Sequence, residues 1–292
     1  MPGNGLSKND GANGNTGVPG LPSFFVIGPP RTGTTWLHKV LSECACLPYP
    51  TKETRFFDIH FERGLGWYSS HYRKPASERK IGEIAPTYFA SPVARERIAR
   101  LIPHAKVVCT FRNPVERVWS LYRLKRAYGM IRWNFDEALV RDPELMESSR
   151  YAFHLEGWTR TFGAGQIMVT VHDDIQADPQ SYLNKLVDFI GVPRQKLLPA
   201  HIPRVWTSKN MTEPRHYYWT RGATKLAEWS KARRLDSLVA AAKKWGAANL
   251  FLGGGNAFLE LSSGQRARLR ELFRPEVDRL EARLNRDLSG WK

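Results

Sequence analysis

A short segment rich in glycine, proline and threonine has the residue types that bind an anion. It runs from Gly28 to Thr35, and four residues separate Gly28 from the next glycine, Gly33. Glycines let backbone N–H groups turn toward a common point, and a helix starting behind them adds partial positive charge. The spacing is that of a Walker A nucleotide loop, but Thr34 replaces its lysine and Arg31 lies inside the loop. The segment therefore predicts a phosphate or phosphosulfate site.

Six consecutive residues that begin inside this segment supply a guanidinium, backbone amides and hydroxyls, a set that neutralises a phosphosulfate without a metal. They are Arg31, Thr32, Gly33, Thr34, Thr35 and Trp36. The alternative is a turn that merely begins an ordinary helix, and the apolar run upstream favours the anion site. A second apolar run ends at Arg112, where a nucleotide triphosphatase would carry an aspartate that holds Mg²⁺. A triphosphatase therefore fits poorly.

The composition limits the possible classes of protein. Hydrophobic residues make up 42% of the 292 residues and charged residues 25%, which excludes disorder over the whole chain. The formal net charge of +16 suits an anionic cofactor or substrate. Because the basic residues are dispersed and no nucleic-acid-binding motif accompanies them, no nucleic-acid partner is expected.

The cysteines and the apolar runs indicate in which cellular compartment the protein is expected. Three cysteines (Cys44, Cys46 and Cys109) are too few for a disulfide scaffold, and no Cys/His cluster predicts a metal site. No apolar run is long enough to span a bilayer, and the N-terminus lacks the pattern of a signal peptide. We therefore expect a cytoplasmic protein without stable membrane insertion.

Strands alternating with helices must position these residues. Apolar runs predict strands at 24–27, 105–111 and 166–171, and helical periodicity marks 34–41, 115–125, 151–162 and 179–190. This alternation predicts an α/β fold: a P-loop-type parallel β-sheet flanked by helices, in a single domain with a helical C-terminal extension. Within 262–284 a stripe predicts a packing face, formed by Leu269, Leu272, Phe273, Val277, Leu280 and Leu284.

At these residues the chain resembles the sulfotransferase family. Pro30–Leu37 looks like the family's 5′-phosphosulfate loop, and Arg112–Ser120 looks like its 3′-phosphate motif. Thr51–Asp58 and Arg63–Tyr68 are similar to segments of the heparan sulfate 3-O-sulfotransferases and their bacterial relatives. The resemblance extends from about residue 24 to residue 191. It implies 3′-phosphoadenosine 5′-phosphosulfate (PAPS) as the co-substrate and no metal.

The resemblance also implies roles for individual residues. Arg31, which occupies the position of a lysine in most relatives, becomes an electrostatic clamp on the bridging oxygen, because arginine does not release its proton. Glu53 matches the general base, beside Lys52, which contacts the transferring sulfate. Arg112 and Ser120 grip the ribose 3′-phosphate.

Tyr151 matches a tyrosine that contacts the adenine, with a buried core tyrosine as the alternative. For Glu53 the alternative is an exposed glutamate paired with Lys52 or Arg55. The histidines His38, His60 and His71 do not reproduce the catalytic histidine segment of the cytosolic enzymes, so we expect them to be structural or to line the substrate.

Other segments depart from the family pattern. Ile84 stands where the heparan enzymes carry a lysine that meets the polysaccharide, which argues against a sulfated-glycan acceptor. The basic loop that closes over the adenosine has two candidates, 208–215 around Lys209 and 220–222 around Arg221.

The expected domain organisation is a flexible tail over residues 1–22 and a sulfotransferase domain over 23–292. Within the latter, residues 206–258 form an insertion expected to shape an acceptor site or a lid. The expected function is sulfuryl transfer from PAPS to a hydroxyl of a small molecule, a lipid or a biosynthetic intermediate. The alternatives are a P-loop kinase-like phosphotransferase and a non-catalytic protein that binds anionic glycans or nucleic acid.

Overall fold

A four-stranded parallel sheet forms the centre of the chain. The computed structural model describes residues 20–72, 79–199, 211–232 and 254–292. The strands lie in the order β2-β1-β3-β4. Their bounds are Phe24–Val26 (β1), Gly82–Ile84 (β2), Lys106–Phe111 (β3) and Ile167–Val171 (β4). The predicted α/β fold is confirmed, although the sequence did not predict β2.

The strand order brings three loops to one edge of the sheet. Phe24 of β1 pairs with Gly82 of β2 and with Lys106 of β3, and all pairings are parallel. The carboxyl ends of β1, β2 and β3 therefore lie side by side, with β1 between strands that come later in the chain. Ligands of open α/β sheets bind at such a reversal of strand order. The glycine-rich segment follows β1 at this edge, and Arg112 follows β3.

Helices cover both faces of the sheet, as parallel strands require. Between β1 and β3 they span Thr34–Leu41 (α1), Gly64–Ser69 (α2) and Pro92–Leu101 (α3). Between β3 and β4 they span Pro114–Ala127 (α4), Phe135–Arg141 (α5), Glu144–Glu147 (α6) and Tyr151–Phe162 (α7). After β4 come His172–Ala177 (α8), Pro179–Ile190 (α9), Tyr217–Ala232 (α10) and Ser263–Leu284 (α11). None of the helices in the described ranges is both long and apolar enough to cross a membrane.

Alternating side chains of β1 divide the core into two clusters. Phe25 packs into the larger cluster, which contains residues of α3, α4, α7 and α11. Phe24 and Val26 pack into the smaller cluster with residues of α1 and α9. The predicted packing face of α11 is confirmed at its centre but wrong at Leu272, which is 53% exposed. Successive helical residues are rotated by roughly 100°, so Leu272 falls outside the face that Phe273 buries.

The C-terminal segment predicted as an insertion is described in part. Its described residues form α10 and a two-stranded antiparallel sheet of Thr212–Pro214 (β5) and Gly254–Ala257 (β6). The loop expected at residues 220–222 is instead part of α10, which packs against the end of α4. There the Thr224 hydroxyl donates a hydrogen bond to the Tyr128 carbonyl at 2.7 Å. Of the other predicted loop and of the tail over 1–22, residues 208–210 and 1–19 lie outside the described residues.

The glycine-rich loop packs directly against β3 at Gly28. A Cβ atom at Gly28 would lie 2.0 Å from the Thr110 hydroxyl and 2.4 Å from its carbonyl oxygen. We therefore expect Gly28→Ala to lower the free energy of unfolding by about 1–3 kcal/mol, measured by urea denaturation. Gly66→Ala is the control, since a Cβ there meets no atom of the described residues within 4 Å. Equal stability of the Gly28 variant and wild type would contradict this packing.

Candidate active site

The loop between β1 and α1 leads into the N-terminus of α1. Gly33 precedes α1 with φ of +100°, and no side chain in the described part of the chain caps the helix N-terminus. Arg31 also adopts a left-handed φ of +79°, an uncommon conformation for a residue with a side chain. The first N–H groups of α1 have no acceptor within the helix, so they are suited to binding an anion.

The threonines of the loop have different surroundings. Thr32 is fully buried, and its hydroxyl donates to the Pro29 carbonyl at 2.8 Å and lies 2.8 Å from the Thr110 hydroxyl. The Thr32 side chain therefore fixes the loop to β3. Thr34 is buried, whereas Thr35 is exposed.

Trp36, the last residue of the predicted anion set, packs its ring against another aromatic side chain. It is 5% exposed, and its ring centroid lies 5.9 Å from that of Tyr182. The ring thus anchors α1 to α9.

Three predicted cofactor residues from distant parts of the sequence meet beside the loop. Arg31 Nε donates a hydrogen bond to Ser120 Oγ at 2.9 Å. Arg112 Nη1 lies 3.5 Å from the Arg31 carbonyl oxygen. The loop after β1 and the segment after β3 therefore form one continuous site.

The charge of this site is positive. Burial lowers the pKa of Arg31, and the nearby charges of Arg112 and Arg123 lower it further. A guanidinium group whose pKa is lowered by neighbouring positive charges is stabilised by an anion placed among them. A multiply charged anionic ligand suits such a cluster.

The predicted base and its neighbouring lysine lie close to the loop. Lys52 Nζ is 3.3 Å from Glu53 Oε1 and 3.5 Å from the Thr34 hydroxyl. Both side chains are partly exposed, at 28% and 29%. The structure therefore brings Lys52 and Glu53 to the start of α1, although the role of Glu53 as a base stays a prediction.

The three histidines lie in different surroundings. His38 Nε2 is buried and, within the described ranges, has no hydrogen-bond partner. Burial lowers the pKa of His38, and the charge of Lys52 lowers it further. His71 Nδ1 lies 2.9 Å from the Trp67 carbonyl oxygen, and the His60 ring packs edge-on against the Trp67 ring. His38 is therefore the one of these three that neighbours Lys52.

Tyr151 lies in the core behind the cluster of arginines. It is 1% exposed, its ring stacks on Phe111 at 4.5 Å, and its hydroxyl donates to the Arg112 carbonyl at 2.8 Å. This environment favours the core interpretation over a contact with adenine. The residue nevertheless fixes the backbone of Arg112.

Sequence reasoning missed a buried carboxylate in the middle of β2. Glu83 is fully buried and accepts hydrogen bonds from Thr54, Tyr68 and Tyr88. Burial raises its pKa to about 7, although the hydrogen bonds act in the opposite direction. The available signal was a glutamate directly before the apolar residues Ile84 and Ala85, a place where a charge requires partners.

A cavity of about 400 Å³ adjoins the loop, within the usual size range for small-molecule sites. Pro30 forms part of its lining. Its charged lining residues are Arg55, Asp58, Glu144 and Glu147. Across the described part of the chain, no group of three or more His, Cys, Asp or Glu side chains is placed to hold a metal ion.

Comparison with known proteins identifies the family. A family model for the sulfotransferase domain matches residues 21–219. The human bifunctional heparan sulfate N-deacetylase/N-sulfotransferase 1 is 30% identical over 245 residues, covering 75% of this chain and 27% of that protein. The N-deacetylase/N-sulfotransferase 2 of Bos taurus is 29% identical over 195 residues, covering 59% and 22%. The chain thus spans about a quarter of the length of these relatives.

Comparison with a solved structure shows that the similarity includes the fold. A sulfotransferase from Alicyclobacillus acidocaldarius superposes with a TM-score of 0.67 at 22% identity, covering 93% of this chain and 98% of that one. The family model includes the glycine-rich loop, both arginine positions and the Lys52–Glu53 pair, and it matches more than half of the chain. The chain belongs to the sulfotransferase domain family.

Proposed function

We propose that this member of the sulfotransferase family transfers the sulfuryl group of PAPS to a hydroxyl group of an acceptor. The observation that carries the proposal is the contact of Arg31 with Ser120, which joins the predicted 5′-phosphosulfate loop to the predicted 3′-phosphate motif. PAPS carries anionic groups at both positions of one ribose. A site in which the two motifs touch therefore suits this donor better than a nucleotide with phosphates at one end only.

Different residues bind the two charged groups of PAPS. Arg112 and Ser120 hold the 3′-phosphate, and the backbone amides at the start of α1 hold the 5′-phosphosulfate. Arg31 lies between the two sets and stabilises the charge that develops on the leaving 5′-phosphate. Because a guanidinium does not release its proton, Arg31 acts through its charge alone.

The transfer is an in-line displacement at sulfur. Glu53 takes the proton of the acceptor hydroxyl, whose oxygen forms a bond to sulfur while the bond from sulfur to the bridging phosphate oxygen breaks. The electron pair of the broken bond stays on the 5′-phosphate of the product, adenosine 3′,5′-bisphosphate (PAP). The Lys52 ammonium group contacts the transferring sulfate. Its position supports this role, because Lys52 Nζ lies 3.3 Å from Glu53 and 3.5 Å from Thr34 at the start of α1.

The cavity beside Pro30 suits a small acceptor. Among the described residues, three carboxylates and one guanidinium line it, a charge balance unfavourable to a polyanion. The absence of a lysine at Ile84 agrees with this. The relatives are named for N-sulfotransfer on heparan sulfate, so alcohols and amines of matched size should be compared as acceptors.

A thermal-shift screen with PAP, ATP and heparin tests the proposed class, followed by transfer of labelled sulfate from PAPS. Stabilisation by PAP at micromolar concentration, with little effect of ATP, supports the donor site. A larger shift with ATP and magnesium-dependent turnover would instead indicate a phosphotransferase. Heparin binding with steep salt dependence and no turnover would indicate a binding protein.

Arg112→Ala is expected to weaken PAP binding by roughly 10- to 150-fold, because a charge-assisted contact contributes about 1.5–3 kcal/mol. The single-turnover rate with saturating PAPS should change far less, since the 3′-phosphate is remote from the reacting sulfur. Calorimetry with PAP measures the first effect. The control is Arg194→Ala, which removes an exposed cation paired with Asp188. Equal losses in both variants would mean that overall charge, not the motif, holds PAP.

A further inference from the structure

Glu83 connects strand β2 to the segment that carries the proposed base. Its Oε1 accepts hydrogen bonds from the Thr54 backbone N–H at 3.0 Å and from the Thr54 hydroxyl at 2.6 Å. Thr54 directly follows Glu53 in the chain. Glu83 therefore holds both the backbone and the side chain of the residue next to the proposed base.

The contacts of Thr54 and Tyr88 extend this restraint to the following turn. The Thr54 hydroxyl oxygen accepts a hydrogen bond from the Phe56 N–H at 3.1 Å, and the Tyr88 hydroxyl accepts one from the Phe57 N–H at 3.3 Å. Between them, Arg55 adopts a left-handed φ of +53°. The turn that leads away from Glu53 is thus fixed on both sides of a strained residue.

The groups that face Glu83 come from each neighbouring element and are neutral. The loop before α2 contributes Thr54, α2 contributes Tyr68, whose hydroxyl donates to Oε2 at 2.7 Å, and the turn after β2 contributes Tyr88 at 3.3 Å. Tyr72 lies beyond Tyr68, with the two hydroxyls 2.9 Å apart.

Burial and the Glu83 carboxylate raise the pKa values of all three tyrosines, which keeps them protonated donors. Within the described residues none of the hydrogen bonds to Glu83 comes from a cation. Burying a protonated glutamate among these groups would cost less free energy than burying an ionised one. An ionised Glu83 therefore requires a reason other than stability.

We propose that Glu83 is a positioning residue for sulfuryl transfer: its ionised carboxylate holds Thr54 and thereby sets the orientation of Glu53 toward the acceptor hydroxyl. The inference rests on the proposed function of Glu53. Hydrogen bonds to a charged acceptor are roughly twice as strong as neutral ones, so ionisation tightens the hold on Thr54.

The same carboxyl group affects activity and stability in opposite directions. Its pKa is 4.5 when unperturbed and about 7 in the folded chain. The folded chain therefore holds a proton that the unfolded chain has released between these pH values, and this contribution to stability is lost as pH rises through about 7. Activity should rise as pH passes through about 7, because the carboxyl group ionises there and the ionised form positions Glu53.

Glu83→Gln is the variant that tests the proposal, since glutamine resembles the protonated side chain at every pH. We expect its kcat to be about tenfold lower than that of wild type at pH 8, without the rise in kcat near pH 7. PAP affinity should be unchanged, and melting temperature should fall less between pH 5 and 8 than in wild type. Thr54→Val should lower kcat in the same way, and Tyr72→Phe is the control expected to retain wild-type kcat.

The double variant with Glu53→Gln separates positioning from a general structural role. If Glu83 acts through Glu53, adding Glu83→Gln to Glu53→Gln produces little further loss of rate. Multiplied losses, a parallel loss of PAP affinity, or an unchanged kcat profile in Glu83→Gln would each overturn the positioning role. Failure of wild type to bind PAP would instead refute the proposed function itself, and unchanged rates in Glu53→Gln would refute the role of Glu53 on which the inference rests.

Discussion

Glu53→Gln is expected to slow single-turnover sulfuryl transfer to an aliphatic alcohol by about 10²–10⁴-fold, the usual contribution of a positioned general base. Glutamine keeps the size and polarity of the side chain but has no oxygen that can take the proton. Glu53 is partly exposed and neighbours Lys52 at 3.3 Å, so the change removes one ion pair and leaves the core intact. PAP affinity and the melting temperature should therefore remain close to those of wild type.

The acceptor sets the size of this effect. A phenol has an acidic hydroxyl and needs less help in losing its proton, so the loss of rate should be smaller with a phenol than with an alcohol of similar size. Single-turnover rates at saturating PAPS give the chemical step directly. Glu62→Gln is the matched control, because Glu62 is an exposed glutamate of the same region.

Near wild-type transfer by Glu53→Gln would remove Glu53 from the mechanism and direct attention to His38. This imidazole is the one that lies close to Lys52, and burial together with the lysine charge lowers its pKa, which keeps it neutral and able to accept a proton. His60 and His71 both contact Trp67 instead. A His38→Gln variant would then be the next measurement.

Strong local signals explain why most of the sheet and helices could be predicted. β1, β3 and β4 are apolar runs, and the predicted helices 34–41, 151–162 and 179–190 coincide with α1, α7 and α9. The motifs at Arg31 and Arg112, which the structure brings together, could also be recognised from the sequence. In both cases the information lies in neighbouring residues of the sequence, where periodicity and turn chemistry act.

The features that escaped prediction depend on contacts between distant residues. β2 has three residues and a glutamate at its centre, so no hydrophobic pattern marks it. The hydrogen bonds to Glu83 come from Thr54, Tyr68 and Tyr88, which only the folded chain brings together.

The same reason applies to the arginine site. The sequence placed Arg31 and Ser120 in separate motifs, whereas the structure joins them across 89 positions of the chain. Pairing of β1 with β3 makes that contact, because it sets the loop after one strand beside the helix after the other.

Arg31→Ala is expected to reduce the single-turnover rate by about 10²–10³-fold, the loss seen when one preorganised group that stabilises developing charge is removed. The guanidinium is largely buried beside Arg112 and Arg123, in surroundings that lower its pKa and strengthen its attraction to an anion. PAPS affinity should fall as well, which distinguishes this variant from Glu53→Gln. Alanine has to adopt the same left-handed φ of +79° as the arginine that it replaces, so the substitution does not change the backbone strain.

Arg31→Lys separates the charge of this residue from its geometry. A lysine restores a cation at this position but cannot reproduce the planar fork through which Nε bonds Ser120 while two terminal nitrogens remain as further donors. We therefore expect partial recovery of the rate over Arg31→Ala. Because Arg31 and Ser120 are in contact, the losses in PAP affinity of Arg31→Ala and Ser120→Ala should not add in the double variant. Weakened PAPS binding with an unchanged single-turnover rate in Arg31→Ala would make Arg31 an anchor for the donor without a part in the chemical step.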